Sequence, residues 1–170
     1  MRLAAHNIAV DLPPGWDGRI YARRIEDGDG RRALRSARTQ PTAATLHAAN
    51  FALPREDGDF GTTATATMAP QGAFLTLTEY VPGGGLHPGQ GLFAKKGIPR
   101  SLHAQMFSPR NLLLARPDQV GLQHFFTNQD RPFCLYLVLG SSSMTGALLQ
   151  QVDRLLDSLT IEDKNLPVDR

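Results

Sequence analysis

Five histidines and a single cysteine are the side chains of this sequence best suited to acid–base, nucleophilic or metal chemistry. His87 and His103 lie within and after a glycine-rich stretch, 82–99, and Tyr80 precedes it. These three could line a ligand pocket beneath the stretch, although two solvated loop histidines explain the same spacing. No histidine pair has H-E-x-x-H spacing, and one cysteine cannot build a cysteine-based zinc site. The sequence therefore predicts no metal, no cofactor and no catalytic residue, and favours a non-enzymatic protein.

One glycine motif in the same stretch has the residue types and spacing of a nucleotide-binding pattern but not its structural context. Residues 89–94 read G-x-G-x-x-A, the loose form of the dinucleotide fingerprint. That mechanism needs a strand before the glycines and a long helix after them, whose N-terminus meets the pyrophosphate. Pro88 precedes the motif, and Gly97 and Pro99 interrupt any following helix. We expect a chance match.

Composition bounds the partners that the protein is expected to have. The 170 residues are 41% hydrophobic and 20% charged, which is typical of one globular domain. The formal net charge of +2 makes nucleic acid an unlikely partner. The densest basic run, 31–38, follows acidic residues and holds no aromatic side chain for base stacking, so it is predicted to be a solvated loop. No segment approaches the roughly 20 apolar residues of a membrane span, and we expect a cytoplasmic protein without membrane insertion.

The strongest secondary-structure signal lies near the C-terminus. Residues 133–139 form an unbroken apolar run, which predicts a strand buried on both faces and includes Cys134 as a small buried side chain. The apolar spacing of 148–159 predicts an amphipathic helix, starting at Ser142 or Ser143. A strand buried on both faces needs a layer on each side. The prediction is an α+β fold, a mostly antiparallel β-sheet flanked by helices in an α/β/α sandwich.

Earlier segments are predicted to form two hairpins and a long loop. Alternating apolar residues in 7–12 and 19–25 predict a hairpin around a Pro-Pro-Gly turn. The period-two pattern of 60–68 predicts a strand that pairs with 74–81. Stretch 82–99 is long for a structureless segment in a compact domain, and such loops are often functional.

In order, these pieces resemble the Mog1/PsbP-like family. The extended segment leads to a P-x-G-W-type turn at Leu12–Trp16, and the chain closes with a helix ending in Leu155–Ile161, similar to the family's "ILDSL"-like signature. The likeness covers both ends, whereas 83–116 carries no matching motif. It implies a single domain over 1–161 followed by a polar tail, 162–170.

The resemblance also implies a function class. Members are mainly non-catalytic: a Ran-binding nuclear transport factor, photosystem II extrinsic subunits and many bacterial proteins of unknown role. The transit segment of the photosystem proteins and the surface acidic residues used for Ran have no match here, so no functional residue is carried over. Only the fold carries over, and a fold does not fix a function.

The sequence therefore predicts a non-enzymatic protein-binding or accessory subunit of a bacterial assembly. Assembly with further copies of the same chain, as a homo-oligomer, is left open. The residues expected to contact a protein partner are Trp16, Leu86, His87 and Phe93. The alternative is a small-ligand-binding protein or enzyme, with its pocket under 82–99 and Tyr80 and His103 beside His87.

Overall fold

The computed structural model describes residues 1–22 and 42–164. The segment predicted as a basic loop, 31–38, and the end of the polar tail lie outside the described residues. Within them the chain forms strands and helices in the following order: β1 Arg2–Ala5, β2 Ile8–Asp11, β3 Asp17–Ala22, β4 Thr42–Ala49, α1 Thr62–Ala66, β5 Ala73–Tyr80, β6 Val120–Asn128, β7 Arg131–Leu139, α2 Thr145–Ser158 and β8 Thr160–Ile161.

Two antiparallel sheets organise these strands, which confirms the α+β class and the antiparallel pairing. The larger sheet has the order β3-β4-β5-β7-β6, and the smaller has the order β1-β2-β8. A two-residue turn, Gln129 and Asp130, joins β6 to β7 with φ angles of 49° and 53°. Positive φ at both positions matches a type I′ hairpin, whose twist suits the flanking strands.

The first face of the larger sheet carries the main hydrophobic core. Leucines at alternate positions of β5 and β7 point to this face, and α2 packs its apolar stripe on them. Strand β7 is buried along its whole length, as its apolar run predicts, and Cys134 is 1% exposed. Burial raises the pKa of the Cys134 thiol to about 12. The thiol therefore stays protonated at neutral pH, and a protonated thiol is a poor nucleophile.

Helix α2 is the predicted amphipathic helix, but it begins at Thr145. The residues before it, Ser142–Met144, form a turn of 3-10 helix instead. The buried residues of α2 recur at helical spacing and are Thr145, Leu148, Leu149, Val152, Leu155 and Leu156. Each fully buried leucine contributes about 1.5–3 kcal/mol through removal of its surface from water.

The second face of the larger sheet is covered by residues 50–72 and by parts of 81–117, whereas Ile98, Leu102 and Phe107 of the latter segment pack in the main core on the first face. The segments 50–72 and 81–117 contain α1 and three single turns of 3-10 helix, one of which, Ala104–Met106, contacts α2, and their remainder is irregular. Prolines and glycines recur through both segments and interrupt longer helices. Phe74, Tyr136 and Val138 project from the sheet into this second, smaller core.

The predicted strand at 60–68 is wrong, because α1 occupies this stretch. The carboxylate of Asp57 accepts hydrogen bonds from the backbone N–H groups of Thr63 (3.0 Å) and Ala64 (2.7 Å), which caps the helix start. The hydroxyl of Thr65 donates to the carbonyl of Gly61 inside the helix (3.0 Å). These local hydrogen bonds override the alternating pattern of threonine and alanine.

The predicted hairpin of 7–12 with 19–25 is also wrong. Strand β2 pairs with β1 and β8, whereas β3 pairs with β4 in the other sheet. The Pro-Pro-Gly turn moves the chain from one sheet to the other. Its Gly15 has a φ of 81°, a conformation that glycine adopts without strain.

None of the helices in the described ranges combines the length and the apolar composition that a membrane-spanning helix needs.

Candidate functional site

Trp16, which the sequence predicts to contact a protein partner, has a buried side chain. Its side chain is 9% exposed and belongs to the apolar cluster shared by β2, β5, β7 and α2. The backbone N–H of Trp16 donates to the carbonyl of Pro13 (3.1 Å), which closes the turn. The tryptophan therefore packs between residues of the two sheets and α2.

Phe93, which the sequence also predicts to contact a partner, is buried beneath the glycine-rich stretch. It is 1% exposed, and its ring centroid lies 5.6 Å from that of Tyr80 and 5.9 Å from that of Phe125. Leu86 is half-buried against the same cluster. Aromatic rings occupy the space where the alternative hypothesis places a pocket.

The three predicted pocket residues are placed in different environments. Tyr80 is buried, and burial raises the pKa of its hydroxyl well above the usual value. His87 and His103 are exposed. In the described part of the chain, no hydrogen bond or ring contact joins any two of the three. No described contact therefore brings the three side chains together, and the pocket stays a prediction.

Thr127 of β6 holds the glycine-rich stretch against the edge of the larger sheet. Its backbone N–H donates to the carbonyl of Lys95 (2.8 Å), and its carbonyl accepts from the N–H of Gly97 (2.8 Å). Its hydroxyl donates to the carbonyl of Phe93 (2.7 Å) and accepts from the N–H of Gly89 (2.8 Å). We call Lys95–Gly97 the first strap.

A second strap, residues 108–111, crosses the same edge at the start of β6. Ser108 and Gly121 exchange two backbone hydrogen bonds, of 2.9 and 3.1 Å. The side chain of Asn111 adds a hydrogen bond to the carbonyl of Gly121 (3.1 Å). The two straps thus fix the chain beside β6 at both ends of the strand.

Between the straps, part of the sheet edge keeps its hydrogen-bonding groups open. In β6 the backbone groups of alternate residues point away from β7, and those of Gly121 and Thr127 meet the straps. Gln123 and Phe125 lie at the alternate positions between these two residues, so their backbone groups also point away from β7. Within the described residues, no partner is found for the outward N–H and C=O groups of these two, both of which are half-exposed.

The segment that forms both straps carries an unbalanced positive charge. Residues 81–117 contain no aspartate or glutamate, and their charged side chains are Lys95, Lys96, Arg100, Arg110 and Arg116. All five are exposed. Arg100 reaches α2, where it lies 4.0 Å from a carboxylate oxygen of Asp157. We call the exposed residues of 81–117 the basic cover; its formal charge of +5 exceeds the +2 of the whole chain.

The basic cover also holds most of the exposed large apolar side chains that the structure describes. Leu92 is 51% exposed, Leu114 is 48% exposed and Met106 is 37% exposed; elsewhere in the described residues, only Met1 belongs to this class. The 3-10 turns Gly91–Phe93 and Pro109–Asn111 both contact β6. Basic and apolar side chains thus flank β6 at these two turns, whereas the turn that carries Met106 contacts α2.

A buried ion pair joins the two sheets at another place. The Arg131 guanidinium donates to both carboxylate oxygens of Glu79, at 3.0 and 2.9 Å, and the two side chains are 5% and 3% exposed. Its other donors reach the carbonyls of His6 (3.0 Å), Asn7 (3.3 Å) and Glu162 (3.0 Å). Arg131 therefore ties the β1–β2 turn and the residue after β8 to the larger sheet.

Lys164 completes this cluster, and its ammonium group lies 2.6 Å from Glu79 Oε1. Burial opposes ionisation of Glu79, but the hydrogen bonds from Arg131 and Lys164 outweigh it and lower the pKa of the carboxyl group. A cavity of about 300 Å³ opens beside the cluster and is lined by His6, Asn7, Ala22, Ala43, Ala44, Glu79 and Lys164. Neither Glu79 nor Arg131 belongs to a motif; a glutamate between buried strand residues is the available sequence signal.

A second buried polar cluster surrounds His47 on the second face. Nε2 of His47 lies 3.0 Å from the carbonyl oxygen of Asp59, so that nitrogen carries the proton. The Tyr21 hydroxyl donates to the Asp59 carboxylate (3.1 Å), and Thr76 donates to the Asp59 carbonyl (2.7 Å). Burial lowers the pKa of the fully buried His47, which is neutral at pH 7. These contacts fix the segment after β4 on the sheet.

Comparisons with models of protein families, with curated proteins and with solved structures found no match. The resemblance to Mog1/PsbP-like domains therefore stays a prediction. Among the described residues no group of three or more histidine, cysteine or acidic side chains is placed to hold a metal ion.

Proposed function

We propose that this protein is a non-enzymatic binding module, an accessory subunit that binds a partner protein through the basic cover. One observation carries the proposal: the exposed leucines, the exposed methionine and the unbalanced positive charge occupy a single segment, 81–117, which two straps hold to β6. The proposed partner presents an acidic surface with apolar side chains. This proposal moves the partner contacts from Trp16 and Phe93 to Leu92, Leu114 and their basic neighbours.

Both components of the surface suit protein recognition. Removing a whole leucine side chain from water contributes about 1.5–3 kcal/mol, so the exposed halves of Leu92 and Leu114 each supply about half of that when a partner covers them. Arginine and methionine are enriched at protein interfaces, and the cover provides Arg110, Arg116 and Met106. Lysines at the rim attract an acidic partner and select it against basic ones.

Nucleic acid is the competing partner for a basic surface, and the aromatic side chains argue against it. Single-stranded nucleic acid binds where exposed aromatic rings stack on bases beside positive charge. The two phenylalanines of 81–117, Phe93 and Phe107, are 1% and 8% exposed and so do not belong to the basic cover. The large apolar side chains exposed here, Leu92, Met106 and Leu114, are not aromatic, which favours contact with another protein.

The experiment that tests the proposal begins with photocrosslinking in cells. A photoreactive amino acid replaces Leu92 in one variant and Leu114 in another. A matched control carries it at Gln150, an exposed position on α2. The protein captured from both cover positions and absent from the control is then purified, and its Kd for the unmodified chain is measured.

Affinity of the purified partner decides the outcome. Leu92→Ser and Leu114→Ser should each weaken binding about three- to tenfold, because each leucine is about half exposed and a partner can bury about half of the 1.5–3 kcal/mol of a whole side chain. Lys95→Glu with Lys96→Glu should weaken binding further at low salt than at high salt. Gln150→Ser should leave the Kd unchanged. Equal Kd values for all these variants would refute the basic cover as the interface.

A further inference from the structure

The open part of the β6 edge points to how the partner is held. The outward N–H and C=O groups of Gln123 and Phe125 form a row of two donors and two acceptors. Such a row is the template on which an extended peptide adds as a further strand. The side chains of both residues point to the second face, where Gln123 donates to the carbonyl of Asn111 (2.8 Å) and Phe125 packs against Phe93.

The straps limit what can occupy this edge. Gly121 and Thr127 already pair with Ser108 and with the first strap, and they lie six positions apart, or about 20 Å along the strand. A full strand of another folded sheet, including β6 of a second copy, would collide with the straps at both ends. A short extended segment of about four or five residues fits between them.

Charge at the two ends of the gap indicates the chemistry of that segment. Lys95 and Lys96 belong to the strap at the Thr127 end, and Arg110 follows Ser108 at the Gly121 end. All three cations are exposed, and none has an acidic partner within the described residues. A peptide with carboxylates on both sides of its paired residues places opposite charges at both ends.

We propose that β6 accepts an extended acidic segment of the partner by strand addition, through backbone hydrogen bonds at Gln123 and Phe125 between the two straps. The inference rests on the proposed function, since it specifies the partner segment that the basic cover recognises. Alternate side chains of the bound segment face the apolar part of the cover, and its flanking carboxylates meet Lys95, Lys96 and Arg110.

The test uses a defined probe and a matched pair of variants. The probe is a fluorescent peptide of about nine residues, with alternating valine and threonine at its centre and glutamates at both ends. Gln123→Pro removes the outward N–H of an edge strand without breaking the ladder to β7, whereas Gln123→Ala keeps it. Both variants lose the same side-chain amide, so their comparison isolates the backbone donor.

Gln123→Ala should bind the probe like the unmodified protein within about threefold, and Gln123→Pro should bind it about tenfold or more weakly. A second probe carries N-methyl groups on the central amides that face β6. It keeps the charge and side chains and should lose a similar factor against the unmodified chain. The N-methyl probe also decides the matter if Gln123→Pro fails to fold.

Three results would overturn the inference. The first is equal binding of the probe and its N-methyl form, which would leave the basic cover as a charged surface without strand addition. The second is a single-stranded oligonucleotide that binds more tightly than the probe and equally to both variants. The third is self-association of the free chain that Gln123→Pro abolishes. The crosslinking result at Leu92 and Leu114 is independent of all three, so failure of strand addition is distinguishable from failure of the proposed function.

Discussion

Glu79→Gln tests how the two sheets are held together. Glu79 accepts two hydrogen bonds from Arg131 and lies 2.6 Å from the Lys164 ammonium group, with only 3% of its side chain exposed. Glutamine keeps the shape but removes the charge, so the buried guanidinium retains three carbonyl partners and no counter-charge. Removing one member of a buried ion pair costs about 3–5 kcal/mol. This is a large share of the stability of a typical domain.

The assay is urea unfolding followed by circular dichroism, at pH 7 and at about pH 3. The pKa of Glu79 is lowered in the folded protein, so its ionisation stabilises the fold above the unfolded pKa of 4.5. That contribution is lost as the pH falls through the folded pKa. The difference between the unmodified protein and Glu79→Gln should therefore be about 3–5 kcal/mol at pH 7 and should shrink in acid.

An exposed ion pair provides the matched control. Arg2 lies 3.4 Å from the Asp11 carboxylate, and both side chains are more than half exposed. Asp11→Asn should change the free energy of unfolding by about 0.5 kcal/mol or less. The reasoning is refuted if Glu79→Gln costs no more than this control, or if its cost is the same at both pH values.

Three further substitutions test the packing and the buried histidine. Trp16→Ala should lower the free energy of unfolding by about 3–5 kcal/mol, because it leaves a cavity in the core. An unchanged urea midpoint would show that Trp16 does not pack in the core. Gly61→Ala should cost about 2–4 kcal/mol, since φ is 64° and a Cβ there would meet the Phe74 ring, whereas Gly58→Ala, with open space, should cost about 0.5 kcal/mol or less. His47 has a lowered pKa, so the free energy of unfolding should fall as the pH drops below 6.5 and level off below the folded pKa. His47→Gln should flatten that slope between pH 7.5 and 5.5, and an unchanged slope would contradict the assignment.

Hydrophobic pattern was enough to predict the central parts of this fold. The unbroken apolar run of β7 and the helical spacing of α2 made both elements readable, and the side chains of Leu75 and Leu77 lie on the face opposite Phe74, as alternation predicts. Where single side chains override a pattern, the prediction failed. The Asp57 carboxylate turns an alternating stretch into α1, which no local period reveals.

The candidate site was less predictable because it depends on long-range pairing. The hydrogen bonds of Thr127 to the glycine-rich stretch join residues 30 or more positions apart, and a glycine-rich sequence does not specify which strand it will meet. Phe93 illustrates the consequence. Its position in a polar, glycine-rich stretch suggested exposure, yet it fills the aromatic cluster with Tyr80. The charge of 81–117, in contrast, is visible in the sequence alone.

Hydrogen exchange measured on the complex with the photocrosslinked partner tests the central claim most directly. Binding through the basic cover and the β6 edge predicts slower amide exchange across 86–116 and at Gln123 and Phe125. Exchange in α2 away from the Arg100 contact should be unchanged. Slower exchange confined to α2 or β1, with β6 unaffected, would contradict the account.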